Sequence, residues 1–163
     1  QQADPDDTLE RLGRMPPPAR WPKLLPWAVL LLVSAGFIAG FLRNPELGWS
    51  LVATWVVING ALTAVGAALA RAHPLTVLSG IVAAPITSLN PTVGAGMVTG
   101  AVETWLRKPR VADFECLRDD VATWRGWWRN RVARVLLVFM LSNFGSVAGT
   151  WIAGFSMVRQ LFG

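Results

Sequence analysis

The chain has one cysteine, Cys116, one histidine, His73, and no tyrosine in 163 residues. A lone thiol excludes a disulfide framework and a cysteine cluster for a metal, and it is structural far more often than catalytic. Charge is nearly missing from the middle of the chain, where no other ionisable side chain lies between His73 and Glu103. Metal-ligand spacing, a nucleophile beside a base, and a phosphate-binding loop are all lacking. The sequence therefore offers no catalytic residue, no metal site and no cofactor, and no nucleic-acid partner is expected.

What the chain does have is apolar surface. With 53% hydrophobic and 15% charged residues, it reads as an all-α integral membrane protein rather than a soluble domain. Its charges gather in the first 23 residues, at short junctions, and in the block from Arg107 to Arg134. Nine tryptophans fit aromatic belts at the two membrane interfaces. Gln1-Gln2 without a methionine reads as the start of a piece of something longer. The first apolar run is as long as a spanning helix and lacks a small-residue cleavage site, so no signal peptide is expected.

Residues 1–23, acidic and then Pro-rich and basic, read as a linker. Residues 24–163 read as the membrane domain, with full transmembrane helices at 24–42, 49–70 and 135–158. Small residues at GxxxG spacing, Gly36/Gly40, Gly96/Gly100 and Gly145/Gly149, predict close helix packing and a homo-oligomer. From 111 to 130, apolar residues at Val111, Phe114, Leu117, Val121, Trp124 and Trp128 have helical spacing. This predicts one amphipathic helix along the interface, anchored by Trp124, Trp127, Trp128, Arg129 and Arg131.

The stretch 74–106 organises the rest. Pro74, Pro85 and Pro91 punctuate it, and a proline inside a helix removes a donor and clashes with the preceding turn. Unbroken, it would be about 50 Å long against a hydrocarbon core of about 30 Å; cut near Asn90, each half is too short to cross. Two readings fit this pattern: a single kinked, tilted helix, or a re-entrant hairpin whose second arm starts with Asn90 as N-cap and Pro91 at the first helical position. Charge favours the hairpin. Arg11, Arg14, Arg20 and Lys23 precede the first span and Arg43 alone follows it, which places the N-terminus in the cytoplasm of a multi-pass protein of the plasma or inner membrane. The eight Lys and Arg from 107 to 134 reach that same side only if the centre re-enters.

Polar groups in apolar surroundings are costly, so His73, Thr87, Ser88, Asn90, Glu103 and Asn143 are the candidates for a polar pocket. Each also has a structural reading. Asn143, like Asn59, would bond between helices, Glu103 would pair with Arg107 at i+4, and His73 would cap a helix.

The segments HPLT, AAPITSLNPTVGAGMVTGAVE, RKPRVADFE, NRVARVLLV and SNFGSVAGT, in this order, resemble the C-terminal membrane domain of the TraB/PrgY family, the pheromone-shutdown proteins related to the TIKI peptidases. The positions that carry the resemblance are Asn90, Pro91, Glu103, Arg107, Lys108, Pro109, Asp113, Glu115, Asn130 and Arg131. It implies a larger protein in which an N-terminal metal-dependent peptidase or peptide-sequestering domain precedes this unit. The expected partners are then the lipid bilayer, that N-terminal TraB domain, a second copy of the chain, and peptide as a candidate ligand. The expected role is to anchor and oligomerise the missing domain without catalysis of its own; the alternative is a channel, transporter or receptor built on the hairpin's polar pocket.

Overall fold

The computed structural model describes residues 21–90 and 92–163, apart from the side chains of Trp21, Pro22, Lys23 and Leu25. Most of the predicted linker, and Pro91, lie outside the described residues. Among the described residues there are eight helices and no strand: α1 (Trp21–Arg43), α2 (Pro45–Leu69), α3 (Pro74–Thr87), α4 (Ala95–Arg107), α5 (Val111–Glu115), α6 (Leu117–Val121), α7 (Gly126–Arg129) and α8 (Arg131–Phe162). Three of them, α1, α2 and α8, are long and apolar enough to cross a membrane. The expectation of an all-helical chain with three such helices holds.

Only Asn44 separates α1 from α2. Its side chain accepts from the Glu46 N–H at 2.9 Å, and Pro45 follows at the first helical position, where a missing N–H costs nothing. The two helices run antiparallel, locked by edge-on contacts of Phe37 with Trp55 and of Phe41 with Trp49. Along α2, α8 runs in the opposite direction, so that Gly149 meets Asn59, Gly145 meets Leu62, and Gly66 meets Leu141. A Cβ on Gly149 would stand 2.9 Å from the Asn59 Cα. Backbones this close explain the small residues on both helices, and Gly36 and Gly40 likewise seat Met157 and Leu51.

On α4 the pair expected from GxxxG spacing divides. Gly96 lies against the Phe139 carbonyl and the Asn143 amide, where no side chain fits. Gly100 faces α8 less tightly: a Cβ there would meet the Phe139 Cβ at 3.5 Å, an ordinary van der Waals contact. Gly100 is buried, and what faces it is the Phe139 side chain rather than a carbonyl. The most closely packed glycines thus serve contacts within one chain.

Between α2 and α8, the shorter α3 and α4 form a helical hairpin. Pro85 does not end α3, which continues to Thr87. The break comes later, and α4 starts at Ala95 after Gly94 in extended conformation. The Asn90 N-cap expectation is therefore corrected: its side chain accepts from the N–H and hydroxyl of Thr92 at 2.9 and 2.6 Å, closing a turn that ends before the helix starts at Ala95. Both outer ends of the hairpin lie at one end of the bundle, where the Arg107 guanidinium donates to the Arg71 carbonyl at 3.1 Å.

The single amphipathic helix expected at 111–130 is also corrected, because α5, α6 and α7 replace it. Asn130 draws this segment back on itself, donating to the Asp113 carbonyl at 2.7 Å and to the Asp120 carboxylate at 3.0 Å. Gly126 packs directly on the Asp120 carbonyl, where no side chain fits. A straight rod would hold residues 113 and 130 about 25 Å apart. The apolar spacing is real, but the local polar bonds fold it into three short pieces.

Candidate functional site

The polar residues singled out in the sequence fall into two groups at opposite ends of the hairpin. At its root, the sequence His73-Pro74-Leu75-Thr76 starts α3, with the His73 Nδ1 accepting from the Leu75 N–H at 3.3 Å and Pro74 in the first turn. Glu103 reaches this point from the last turn but one of α4 and is fully buried. One carboxylate oxygen accepts from the Thr76 hydroxyl at 2.6 Å and from the His73 N–H at 2.9 Å. The other pairs with the Arg107 Nε. A carboxylate at a helix N-terminus meets unpaired N–H groups and the positive end of the helix dipole. Glu103 therefore clamps the two arms together, and with both oxygens engaged its geometry is that of a structural ion pair. His73 supplies a backbone donor and a cap. Asn90, at the far end of the hairpin, does not take part.

The second group surrounds the hairpin's tip. Thr87 donates to the Ala83 carbonyl at 3.0 Å and Ser88 to the Pro85 carbonyl at 3.1 Å. From α8, Asn143 accepts from the Gly96 N–H at 2.9 Å, capping a helix start that its own N-cap, Gly94, leaves without a side-chain bond. The Trp55 indole, 2% exposed, donates to the Pro85 carbonyl at 3.3 Å and ties α2 to the tip. Nearby, the buried Asn59 donates to the Trp55 carbonyl at 3.1 Å and accepts from Thr150 at 3.3 Å, an interhelical bond as expected.

The tip forms one side of a groove of about 740 Å³ between α1 and α8. Thr87, Ser88, Asn90 and Asn143 line it, while its walls are mainly apolar, with Val29, Val33 and Phe155 among them. Such a groove suits an apolar or amphipathic occupant, a hydrocarbon chain or an apolar peptide, with a few hydroxyl and amide groups to orient it. Among the described residues, no three His, Cys, Asp or Glu side chains gather as a metal would require.

Around the hairpin's root lies the Trp- and Arg-rich segment. Trp124 is 79% exposed and its ring centroid is 5.0 Å from that of Trp128. The Trp128 indole donates to the Leu69 carbonyl at 3.2 Å, and that of Trp127 to the Val121 carbonyl at 3.0 Å. Arg131 is exposed, and Arg129 pairs with Asp120 at 2.7 Å. Bonds from Asn130 and then Arg129 hold the Asp120 carboxyl below the usual aspartate range. Asn130 also caps α8, accepting from the N–H groups of Val132 and Ala133 at 2.9 and 3.2 Å. Its central place, and the roles of Thr76 and Trp55, escaped the reading of the sequence. Asn before Arg-Val-Ala is an N-cap signal that could have revealed the first.

The family described as TraB family protein, C-terminal domain, matches residues 21–162. The chain belongs to the TraB family. As a TraB C-terminal domain it is also similar to uncharacterized protein MJ1365 of Methanocaldococcus jannaschii, at 33% identity over 134 residues. That alignment covers 79% of this chain and 34% of the relative, so the TraB domain spans about a third of that protein's length. No solved structure matches the chain.

Proposed function

We propose that this TraB C-terminal domain is a membrane module that anchors the peptidase-like or peptide-sequestering domain implied by the family resemblance, in a full-length protein longer than this chain. The observation that carries the proposal is the distribution of side chains on the bundle. The outer faces of α1, α2 and α8 expose large apolar residues such as Leu31, Val57, Phe144 and Phe155, while the bonded polar groups face inward. This is the arrangement expected when the solvent around the helices is hydrocarbon. The hairpin then enters the bilayer and returns to the same surface, its turn sheltered by α1, α2 and α8. Arg71, Arg107, Lys108 and the residues up to Arg134 share one end of the bundle; Arg43 and Arg159 are at the other. Such asymmetry supports a cytoplasmic place for the first end and the N-terminus.

The test combines carbonate extraction with cysteine mapping. In a Cys116→Ser background, single cysteines at Lys108 and Glu46 are expected to react with an impermeant maleimide from opposite sides, and Lys108 and Arg71 from the same side. Release of the protein by carbonate, or labelling of Lys108 and Arg71 from different sides, overturns the reading. Self-association fits the family reading as well, but the closely packed glycines are already used inside the chain, so it would use the lipid-facing surface. The groove favours a second reading, a receptor or conduit for an apolar peptide, because its size and lining suit such a ligand. Val147→Trp, at an exposed position on the groove wall, should abolish peptide binding if that reading holds.

A further inference from the structure

Where α2 ends and α8 begins, Arg71, Arg125, Arg129 and Arg134 wall a pocket of about 740 Å³ together with Trp124 and Trp128. We propose that this pocket holds the phosphate headgroup of one anionic phospholipid. The inference rests on the membrane reading above and adds a ligand to it.

Charge is the first support. Among the described residues the Arg129 guanidinium pairs with Asp120, and no carboxylate lies within ion-pair distance of Arg71, Arg125 or Arg134. Three like charges around one cavity repel each other unless an anion sits among them. Arg134 points the same way. It donates to the Trp128 carbonyl, yet its Nε is buried with no acceptor among the described residues. A buried guanidinium N–H is costly to leave unpaired, and a phosphate oxygen is the acceptor it matches best.

The backbone gives independent support. Arg71 adopts φ 56°, a left-handed conformation in the turn that ends α2, where Arg71 N–H bonds to Ala68 at 2.8 Å and Ala72 N–H to Ala67 at 3.0 Å. Glycine is the ordinary residue at such a position, and a side chain there is strained. The residue in this conformation lines the pocket.

A lipid is favoured over a free anion by what borders the pocket. Trp124 and Leu69 are 79% and 64% exposed, and Val65, one turn down α2, is 54% exposed. The sequence of surfaces from guanidinium to indole to aliphatic matches the passage from headgroup to acyl chain.

The experiment measures lipids retained by the detergent-purified chain in native mass spectrometry, and the shift in its thermal midpoint on adding phosphatidylglycerol, phosphatidylcholine or inorganic phosphate. Retention of one phosphatidylglycerol, with a midpoint raised by that lipid alone, is expected. Arg71→Gly relieves the backbone strain, so it should fold at least as well and still bind phosphatidylglycerol roughly tenfold more weakly, the loss expected for one charged hydrogen bond. Arg125→Gln, at an exposed position, should weaken binding in the same way. Equal retention of phosphatidylcholine, an equal shift with inorganic phosphate, or unchanged affinity in both variants would overturn the proposal. Because a domain that integrates into bilayers without headgroup preference would give those results and still pass carbonate extraction, the two readings fail separately.

Discussion

Asn143 accepts a hydrogen bond from the Gly96 N–H at 2.9 Å, so the first turn of α4 is capped by a residue 47 positions away. This bond fixes the hairpin's tip to α8. Asn143→Ala should destabilise the domain by about 1–2 kcal/mol, the range for losing a helix cap, as read from unfolding in a mixed-micelle titration.

Glu103 serves the same hairpin at its root. Replacing it with Ala leaves the Arg107 guanidinium, the Thr76 hydroxyl and the His73 N–H without their acceptor and should cost about 3–5 kcal/mol. Thr76→Val removes a single bond and should cost about 1–2 kcal/mol. The double variant should be less damaging than the sum of the two. If the costs add, the two residues do not act as one clamp.

Glycine substitutions distinguish contacts inside the chain from contacts between chains. Gly145→Ala would drive a methyl group into the Leu62 carbonyl, with a cost of about 1–3 kcal/mol. At Gly154 no other group of the described residues lies within 4 Å of an added Cβ, and Gly154→Ala should be neutral or stabilising by up to about 1 kcal/mol. Unfolding midpoints should separate the two variants, while native electrophoresis should show the same oligomeric state for Gly154→Ala as for the parent.

Acid should loosen the segment 111–130 before the bundle. The folded-state carboxyl of Asp120 is depressed, so its contribution is fully present above the unfolded aspartate value of about 3.9 and is lost as pH falls through the lower folded value. Hydrogen exchange of this segment, corrected for intrinsic rates, should therefore be flat from neutral pH to about 4 and rise below it. Asp120→Asn should remove that acid dependence.

The long helices were legible because an uninterrupted apolar run has few alternatives, and His73-Pro74 announced α3 by the physics of its first turn. The tip was harder to read. Asn90 has the chemistry of a helix cap, but a neighbouring hydroxyl on Thr92 competes for the same oxygen, and the helix waits for Gly94. GxxxG spacing marks where two backbones can approach but not where they do, which is why Gly96 touches a carbonyl and Gly100, with the same spacing, does not. Periodicity misled at 111–130, since three short helices carry the same apolar spacing as a long one until Asn130 bends the chain back. Trp55 and Thr76 left no signal, because an aromatic or a threonine within an apolar run gives no sign of which partner it will meet. The polar residues of the hairpin stand out in the sequence as a set, and only the structure divides them between root and tip.

α8 is the last of the described helices to leave the ribosome, yet α2, α3 and α4 all lean on it. Until residues 131–162 emerge, Gly66 has no opposing backbone and the start of α4 has no Asn143. Until α8 is made the hairpin therefore lacks supports at both its tip and its flank, and its packing becomes a closing event that waits for α8.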